Sequence, residues 1–297
     1  MQFGVCVPNY GANASVETLR EVSREVEKLG FDSIFLTDHI LMPKNSGSPY
    51  EKIFESISTM AYLAATTRKV KLGISSLIMA MRNPVVVAKQ LATIDALSSG
   101  RVILATSAGW NEREYGNLGS DFHTRGKRLD ESIHLVRALW SSSDPAFESK
   151  RLLVSFKDVA FEPRPVQKRI PIWIAGNSLA AMKRAARLGD AWHPNVLPLD
   201  KFSELIRRFR SVQGAETKPI CARIALSMTA TTSTYTSPQG ERRLVLTRDM
   251  EDNKSIVTEL EKMGVSYMTV TTSPDGHASQ NEQLEGLASF AHKFIEA

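Results

Sequence analysis

The chain has 297 residues, of which 42% are hydrophobic and 23% charged, enough for one large core or for two smaller domains. No apolar run approaches the ~18 residues that a membrane span requires, so we expect a soluble protein with no membrane contact. The formal net charge is +5, yet the lysines and arginines are spread along the chain without interleaved aromatics, which argues against nucleic-acid binding.

The two cysteines, Cys6 and Cys221, both lie in apolar, strand-like runs. Such cysteines are typical of a reducing compartment, and the sequence passes from Met1 into its first apolar run without a signal-like segment. We therefore expect a cytoplasmic protein.

Apolar, β-rich runs alternate with amphipathic segments along the whole chain. The predicted strands are 3–8, 33–37, 70–77, 101–107, 170–175, 191–192, 220–228 and 265–271. The helices predicted to follow them are 16–29, 52–66, 84–97, 127–140, 179–188, 201–212, 252–263 and 282–295. Alternating strands and helices favour parallel pairing, and eight such units close most naturally into a barrel. The sequence thus predicts an α/β fold, a (β/α)8 TIM barrel with insertions on its C-terminal face, in a single domain over 1–297.

An open doubly wound sheet is the alternative arrangement of these elements, but no G-x-G-x-x-G follows the first strand as its dinucleotide-binding version requires. The longer irregular segments are 40–50, 116–125, 141–165 and 229–243. The segment 141–165 follows a helix and suggests a peripheral hairpin with Val154, Phe156 and Val159 as strand residues. The other three follow strand ends, on the face where barrel enzymes carry their sites.

A strand runs directly into a helix in the segment 171–194, PIWIAGNSLAAMKRAARLGDAWHP. The strand ends at Ala175, and Gly176, Asn177 and Ser178 lead into the helix. Free N–H groups at a helix start favour an anion, and Gly176 lets it approach the backbone, which predicts a phosphate site. The alternative is an ordinary corner in which Asn177 or Ser178 caps the helix.

Asp38 and His39 come directly after the second predicted strand. His39 is the best proton-transfer candidate, because an imidazole changes charge near neutral pH, and Asp38 could fix its tautomer if the two side chains meet. A histidine that only forms structural hydrogen bonds is the alternative.

Ser75 and Ser76 lie inside the otherwise apolar third strand, where a packed interior would favour valine or isoleucine. Such hydroxyls need partners: they either face the barrel or bond to the backbone. If the barrel forms, they converge on one rim with the other strand ends.

The fourth predicted strand ends at Ser107, two residues before Gly109 and Trp110. Gly109 permits close approach of the backbone to a planar ring, and Trp110 could form a wall of the pocket. We interpret Glu112 and Glu114 as the acids of a helix start.

Three cations follow, Arg125, Lys127 and Arg128, for which a solvated helix face is favoured over phosphate contact. His193 could border the same pocket. No H-x-E, H-E-x-x-H or C-x-x-C spacing occurs, so no metal site is predicted.

Four segments carry a resemblance to one family: 30–40 (GFDSIFLTDHI), 71–115, 125–140 (RGKRLDESIHLVRALW) and 171–194. They resemble the bacterial-luciferase-like flavin and deazaflavin oxidoreductases, which are similar to TIM barrels with a large insertion. The Asp-His pair and the RNPVVVAK start of the third helix look most like the branch that uses the deazaflavin coenzyme F420.

The resemblance implies roles for individual residues. Asp38 and His39 would border the reactive face of the ring, a non-prolyl cis peptide would join Ser75 to Ser76, and the 176–178 amides would bind phosphate. His39 is then the expected catalytic residue, and the expected coenzyme-binding residues are Asp38, Ser75, Ser76, Ser107, Gly109, Ala175, Gly176, Asn177 and Ser178.

Members that oxidise sugar phosphates carry an aromatic residue shortly after the Asp-His pair and an acid in the fourth-strand loop. This chain has Lys44 and Trp110 at the positions that we align with them, which disfavours a sugar phosphate. The resemblance implies an oxidoreductase that transfers hydride between F420 and a small organic substrate. Because related barrels commonly dimerise through helices of the early units, it also implies a homodimer.

Two alternatives remain open at this stage. One is a monooxygenase that uses reduced FMN, supplied by a separate reductase, together with oxygen. The other is a barrel that binds a flavin without catalysis.

Overall fold

A computed structural model describes residues 1–46 and 49–296; residues 47 and 48 of the predicted 40–50 loop, and residue 297 of the predicted domain, lie outside it. The strands in the described part are, in chain order, β1 (Gln2–Cys6), β2 (Ser33–Leu36), β3 (Lys71–Leu77), β4 (Val102–Thr106), β5 (Phe147–Ser149), β6 (Val154–Phe156), β7 (Ile172–Ala175), β8 (Ala191–His193), β9 (Ile220–Leu226), β10 (Thr234–Thr236), β11 (Arg242–Leu246) and β12 (Val265–Thr271).

Eight of these strands form a closed parallel sheet. The order is β1-β2-β3-β4-β7-β8-β9-β12, and β12 pairs in turn with β1. This closure confirms the predicted TIM barrel and shows that the open-sheet alternative is wrong. The C-terminal ends of all eight strands therefore meet at one rim.

The helices are α1 (Val16–Lys28), α2 (Ser56–Thr66), α3 (Pro84–Leu97), α4 (Glu112–Asn117), α5 (Arg125–Ser141), α6 (Leu179–Leu188), α7 (Leu199–Arg210), α8 (Met250–Lys262) and α9 (Gln280–Phe294). Helix α2 begins four residues later than predicted, because Glu55 caps it by accepting from the Ser58 amide at 2.7 Å. No helix in the described part of the chain is both long and apolar enough to cross a membrane.

The interpretation of Glu112 and Glu114 as the acids of a helix start is confirmed, because both lie in the first turn of α4, which Asn111 caps. The irregular segments contain further structure that was not predicted. Segment 229–243 begins a hairpin in which β10 pairs with β11, and β11 extends the sheet along β9. The predicted peripheral hairpin is present as β5 and β6, in which Phe156 pairs with Phe147. Strand β6 ends at Phe156, so Val159 lies outside the hairpin.

The barrel interior below the rim is filled by its own apolar cluster. Phe35, Trp173 and Tyr267 pack there, with ring centroids of Trp173 at 5.4 Å from Phe35 and 5.1 Å from Tyr267. Gly73 is required beside them, because a Cβ at this position would lie 2.4 Å from the Phe35 ring. A packed interior closes the lower end, so that open space is left at the C-terminal rim.

Candidate active site at the C-terminal rim

A cavity of ≈ 510 Å³ opens at the C-terminal ends of the barrel strands, within the size range of small-molecule sites. It is lined from the ends of β2, β3, β4 and β7, from the start of α6, and from β9. All ten residues that the sequence singles out as site residues line it: Asp38, His39, Ser75, Ser76, Ser107, Gly109, Ala175, Gly176, Asn177 and Ser178. The structure thus brings them together, while their roles stay predictions.

His39 is held by Glu114, not by its neighbour in sequence. Its Nδ1 lies 2.7 Å from Oε2 of Glu114, whose other oxygen accepts from the amide of Ile40 at 2.7 Å and from that of Leu41 at 3.3 Å. The imidazole stacks on the Tyr50 ring at 4.6 Å and meets Trp110 edge-on at 5.9 Å. Both side chains of the pair are buried.

The charge of Glu114 determines which ring nitrogen of His39 carries the proton. Burial alone would raise the pKa of Glu114, but the hydrogen bond and charge interaction with His39, and the amides of Ile40 and Leu41, lower it below its usual value. An ionised carboxylate only accepts hydrogen bonds, so Nδ1 of His39 carries the proton. In the neutral imidazole, Nε2 is then an unprotonated base at the cavity wall.

The condition under which Asp38 would fix the tautomer of His39 is not met, because the two side chains have different partners. Asp38 accepts instead from Ser56 Oγ at 2.7 Å, the Ile78 amide at 2.8 Å and Arg82 Nη2 at 2.6 Å. Its side chain is fully buried, and these partners tie the end of β2 to α2 and to the turn after β3. Asp38 therefore stabilises the rim, and consecutive residues at the strand end direct their side chains to different partners.

Ser75 forms a buried pair with His193 on the neighbouring side of the barrel. Nδ1 of His193 donates to the carbonyl of Cys221, so its Nε2 accepts from Ser75 Oγ at 2.7 Å. Burial is the main cause that lowers the pKa of His193 to about 4, which keeps the imidazole neutral near pH 7. His193, a candidate from the sequence, thus orients the Ser75 hydroxyl from below the cavity.

The peptide bond between Ser75 and Ser76 is cis, as the resemblance implied. Ser76 Oγ donates to Ser107 Oγ at 2.8 Å, which links the ends of β3 and β4. Gly109 has φ +71°, and a Cβ there would lie 2.8 Å from Ile78, so this glycine is required by the protein's own packing. Close approach to a planar ring remains a prediction.

The start of α6 presents free amides to the cavity. The backbone N–H groups of residues 177–180 have no acceptor among the described residues, while Ser178 Oγ caps the helix by accepting from Ala181 at 3.2 Å. Gly176 has φ +120°, and its carbonyl is fixed by the indole of Trp192 at 2.9 Å. The cap that the sequence analysis gave as an alternative thus coexists with an anion-accepting helix start.

Helix α5 begins at the same part of the cavity. Arg125 and Gly126 line it, and the Arg125 guanidinium lies 3.6 Å from the centroid of the Phe122 ring. The prediction of a solvated face holds only for the exposed Lys127. Arg128 donates instead to the carbonyls of Ala80 at 3.1 Å and Arg151 at 3.0 Å, and so supports the fold.

Sequence reasoning missed three arginines of the cavity, Arg184, Arg223 and Arg243, and assigned Glu114 only to a helix start. Arg223 is a cation inside the otherwise apolar strand β9, a signal that was available in ICARIAL. Arg243 pairs with Glu241 at 2.8 Å in a hairpin that was not predicted. Within residues 1–46 and 49–296, no group of histidine, cysteine, aspartate and glutamate side chains is arranged to hold a metal ion.

Comparison with known proteins gives a family and a fold. A sequence model described as luciferase-like monooxygenase matches residues 1–276. The F420-dependent glucose-6-phosphate dehydrogenase of Amycolatopsis mediterranei (strain U-32) is 33% identical over 180 residues, which cover 59% of this chain and 52% of that protein. The chain therefore spans about half the length of this curated relative.

Two solved structures superpose along nearly the whole chain. Monooxygenase RslO1 from Streptomyces bottropensis has a TM-score of 0.80 at 18% identity and covers 100% of this chain and 99% of its own. An F420-dependent secondary alcohol dehydrogenase, solved with an F420-acetone adduct, has a TM-score of 0.78 at 18% identity, covering 99% and 98%. At 18% identity these two structures establish the fold alone. Because the family model matches residues 1–276, the chain belongs to the luciferase-like monooxygenase family.

Proposed function

We propose that this protein is an oxidoreductase that binds coenzyme F420 and transfers hydride between it and a small organic substrate. The observation that carries the proposal is one cavity that joins an anion-accepting helix start to an oriented imidazole. The names of the relatives support the coenzyme, since both a curated relative and a solved structure are described as F420-dependent.

The residues present fit the coenzyme. Its phosphate would be held by the free amides of residues 177–180, and Arg125 adds a positive charge beside them. The ring would lie between the α6 start and the end of β2, over Ser75 and Ser76. A volume of ≈ 510 Å³ leaves room for a ring system together with a small second molecule.

When bound, the deazaflavin supplies a carbon that accepts or gives up hydride, and the chain's own residues supply everything else. His39 Nε2 takes a proton from the substrate, or returns one to it, at the cavity wall. Glu114 keeps the proton of the imidazole on Nδ1 and stabilises the positive charge when Nε2 is protonated. Tyr50 and Trp110 fix the plane of the His39 imidazole and exclude water from one side of that imidazole.

We further propose that the substrate is not a sugar phosphate, although the curated relative named above is a glucose-6-phosphate dehydrogenase. Lys44 is exposed and lies outside the cavity, while Trp110 occupies its wall. The indole thus fills space on the side where His39 would meet a substrate.

Titration of the purified protein with F420 and with FMN tests the proposal. We expect F420 to bind and to be turned over with at least one member of an alcohol and aldehyde panel. His39→Ala should retain coenzyme binding and lose about two to four decades in rate.

Other outcomes point to the alternatives. Tight FMN binding without F420 binding would replace the proposal by the monooxygenase that needs a separate reductase. Binding of either coenzyme with no turnover, unaffected by His39→Ala, would indicate a flavin-binding protein without catalysis.

A further inference from the structure

Arg223 is a half-buried cation that lines the cavity, and its hydrogen-bond partners among the described residues are all neutral. Its Nε donates to Thr271 Oγ1 at 2.9 Å, its Nη1 to the carbonyl oxygen of Ser75 at 2.6 Å, and its Nη2 to Thr37 Oγ1 at 3.4 Å. These three oxygens come from three different strand ends, so the guanidinium is held rigidly across the barrel.

The protein does not neutralise this charge. Among the described residues no carboxylate is paired with Arg223, and the acidic groups that influence it are a thiol and three phenols: Cys6, Tyr10, Tyr50 and Tyr235. Burial raises the pKa values of Tyr10 and Tyr50, so these phenols stay protonated near neutral pH. A guanidinium that is half removed from water and has no counter-charge from the protein is favourably placed to bind an anionic ligand.

Two other arginines of the cavity differ in this respect, whereas Arg125 also lacks a carboxylate partner among the described residues. Arg184 is paired with Asp130, and Arg243 with Glu241. Three of the five N–H groups of the Arg223 guanidinium donate to protein oxygens. Arg223 lines the cavity, so its other two N–H groups can donate to a ligand there. A planar oxyanion matches that fork in geometry as well as in charge.

We propose that Arg223 binds a second negative charge in the cavity, a planar oxyanion distinct from the phosphate at α6. The inference rests on the proposed function, within which this anion has two sources. One is a carboxylate of the substrate, because Arg223 and His39 line the same cavity. The other is the delocalised negative charge that the coenzyme ring carries when it is reduced.

The experiment uses three variants of the full chain. Arg223→Met removes the charge and keeps the length of the side chain, Arg223→Lys keeps the charge without the fork, and Arg125→Met is the matched control at the α6 end. The readouts are the Kd values of oxidised and reduced F420, and the Tm with acetate against chloride at equal ionic strength.

Each source predicts its own pattern. If the anion is on the coenzyme, Arg223→Met weakens reduced F420 about 10- to 100-fold and leaves oxidised F420 within about twofold. If it is on the substrate, both redox forms bind as before, while the rise in Tm that acetate gives the wild-type protein disappears. Arg223→Lys should lie between wild type and Arg223→Met, and Arg125→Met should weaken both redox forms equally.

The proposal is overturned if Arg223→Met folds and changes neither readout, since Arg223 would then only bridge the strands. If Arg223→Met does not fold, the same measurements on the wild-type protein test the proposal. Equal Kd values for oxidised and reduced F420, together with no rise in Tm on addition of acetate, would then overturn it. Failure of the wild-type protein to bind F420 would refute the proposed function, whereas the acetate measurement would still test Arg223.

Discussion

Replacement of Glu114 by glutamine should lower kcat without unfolding the protein. The glutamine oxygen can still accept from the Ile40 amide, but its NH2 group then faces Nδ1 of His39, 2.7 Å away in the native pair. Two donors cannot share that contact, so the imidazole proton moves to Nε2 and the cavity loses its base. The lost charge-assisted hydrogen bond is worth about 1.5–3 kcal/mol, which predicts a 10- to 150-fold lower kcat.

The assay compares kcat, KM and the Kd of the coenzyme, with ¹⁵N NMR of the His39 ring as a readout of the tautomer. Glu112→Gln is the control, because Glu112 lies in the same helix with an exposed carboxylate. We expect the control to behave as wild type, and Glu114→Gln to bind coenzyme normally. A Glu114→Gln enzyme with kcat within twofold of wild type would refute the assigned role of this carboxylate.

Three further predictions concern stability. Asp38→Asn should cost about 2 kcal/mol in urea unfolding, because it removes a charge-assisted hydrogen bond and leaves Arg82 paired only with the partly exposed Glu55; a loss below about 0.5 kcal/mol would contradict this. Ser178→Ala should cost about 1 kcal/mol through the lost helix cap, yet raise the Kd of the coenzyme less than tenfold, since the free amides remain; a larger rise would show that the hydroxyl itself binds phosphate. His193 has a pKa of about 4 in the folded protein, below its ordinary 6.5, so the unfolded chain takes up the proton first. Stability should therefore fall by about 3 kcal/mol from pH 7 to pH 4, and this component should be absent in His193→Asn.

The barrel could be predicted because its signal is repeated eight times. Even β8, only three residues long, was found from its place between two amphipathic helices. Strand β11 was not predicted for the opposite reason, because it occurs once and lies in a polar segment, and α4 was indicated only by the acids of its first turn. Their formation depends on the rim: α4 packs Tyr115 into the core, and β11 completes an edge along β9.

The members of the candidate site could be predicted better than their contacts. A strand that ends at a closed rim sends its next residues toward the cavity, so Asp38 and His39 were found by position. Their partners are set by tertiary packing: Glu114 is 75 residues away from His39, and nothing in NEREY distinguishes it from the exposed Glu112. Sequence adjacency was therefore misleading about the partner of the imidazole.

The two buried carboxylates of the rim differ in what their charge can do. Asp38 is paired with the Arg82 guanidinium, which also pairs with Glu55, and this cluster ties the end of β2 to the neighbouring loops. Glu114 has His39 as its only ion-pair partner among the described residues, and that imidazole exposes its second nitrogen to the cavity. A proton that arrives at Nε2 therefore neutralises Glu114, just as an anion at the floor would neutralise Arg223. A substrate that carries a carboxylate for Arg223 and, on a second group, a proton that His39 can accept would engage both residues in one binding event, so small anionic molecules of this kind should join the first compounds to test.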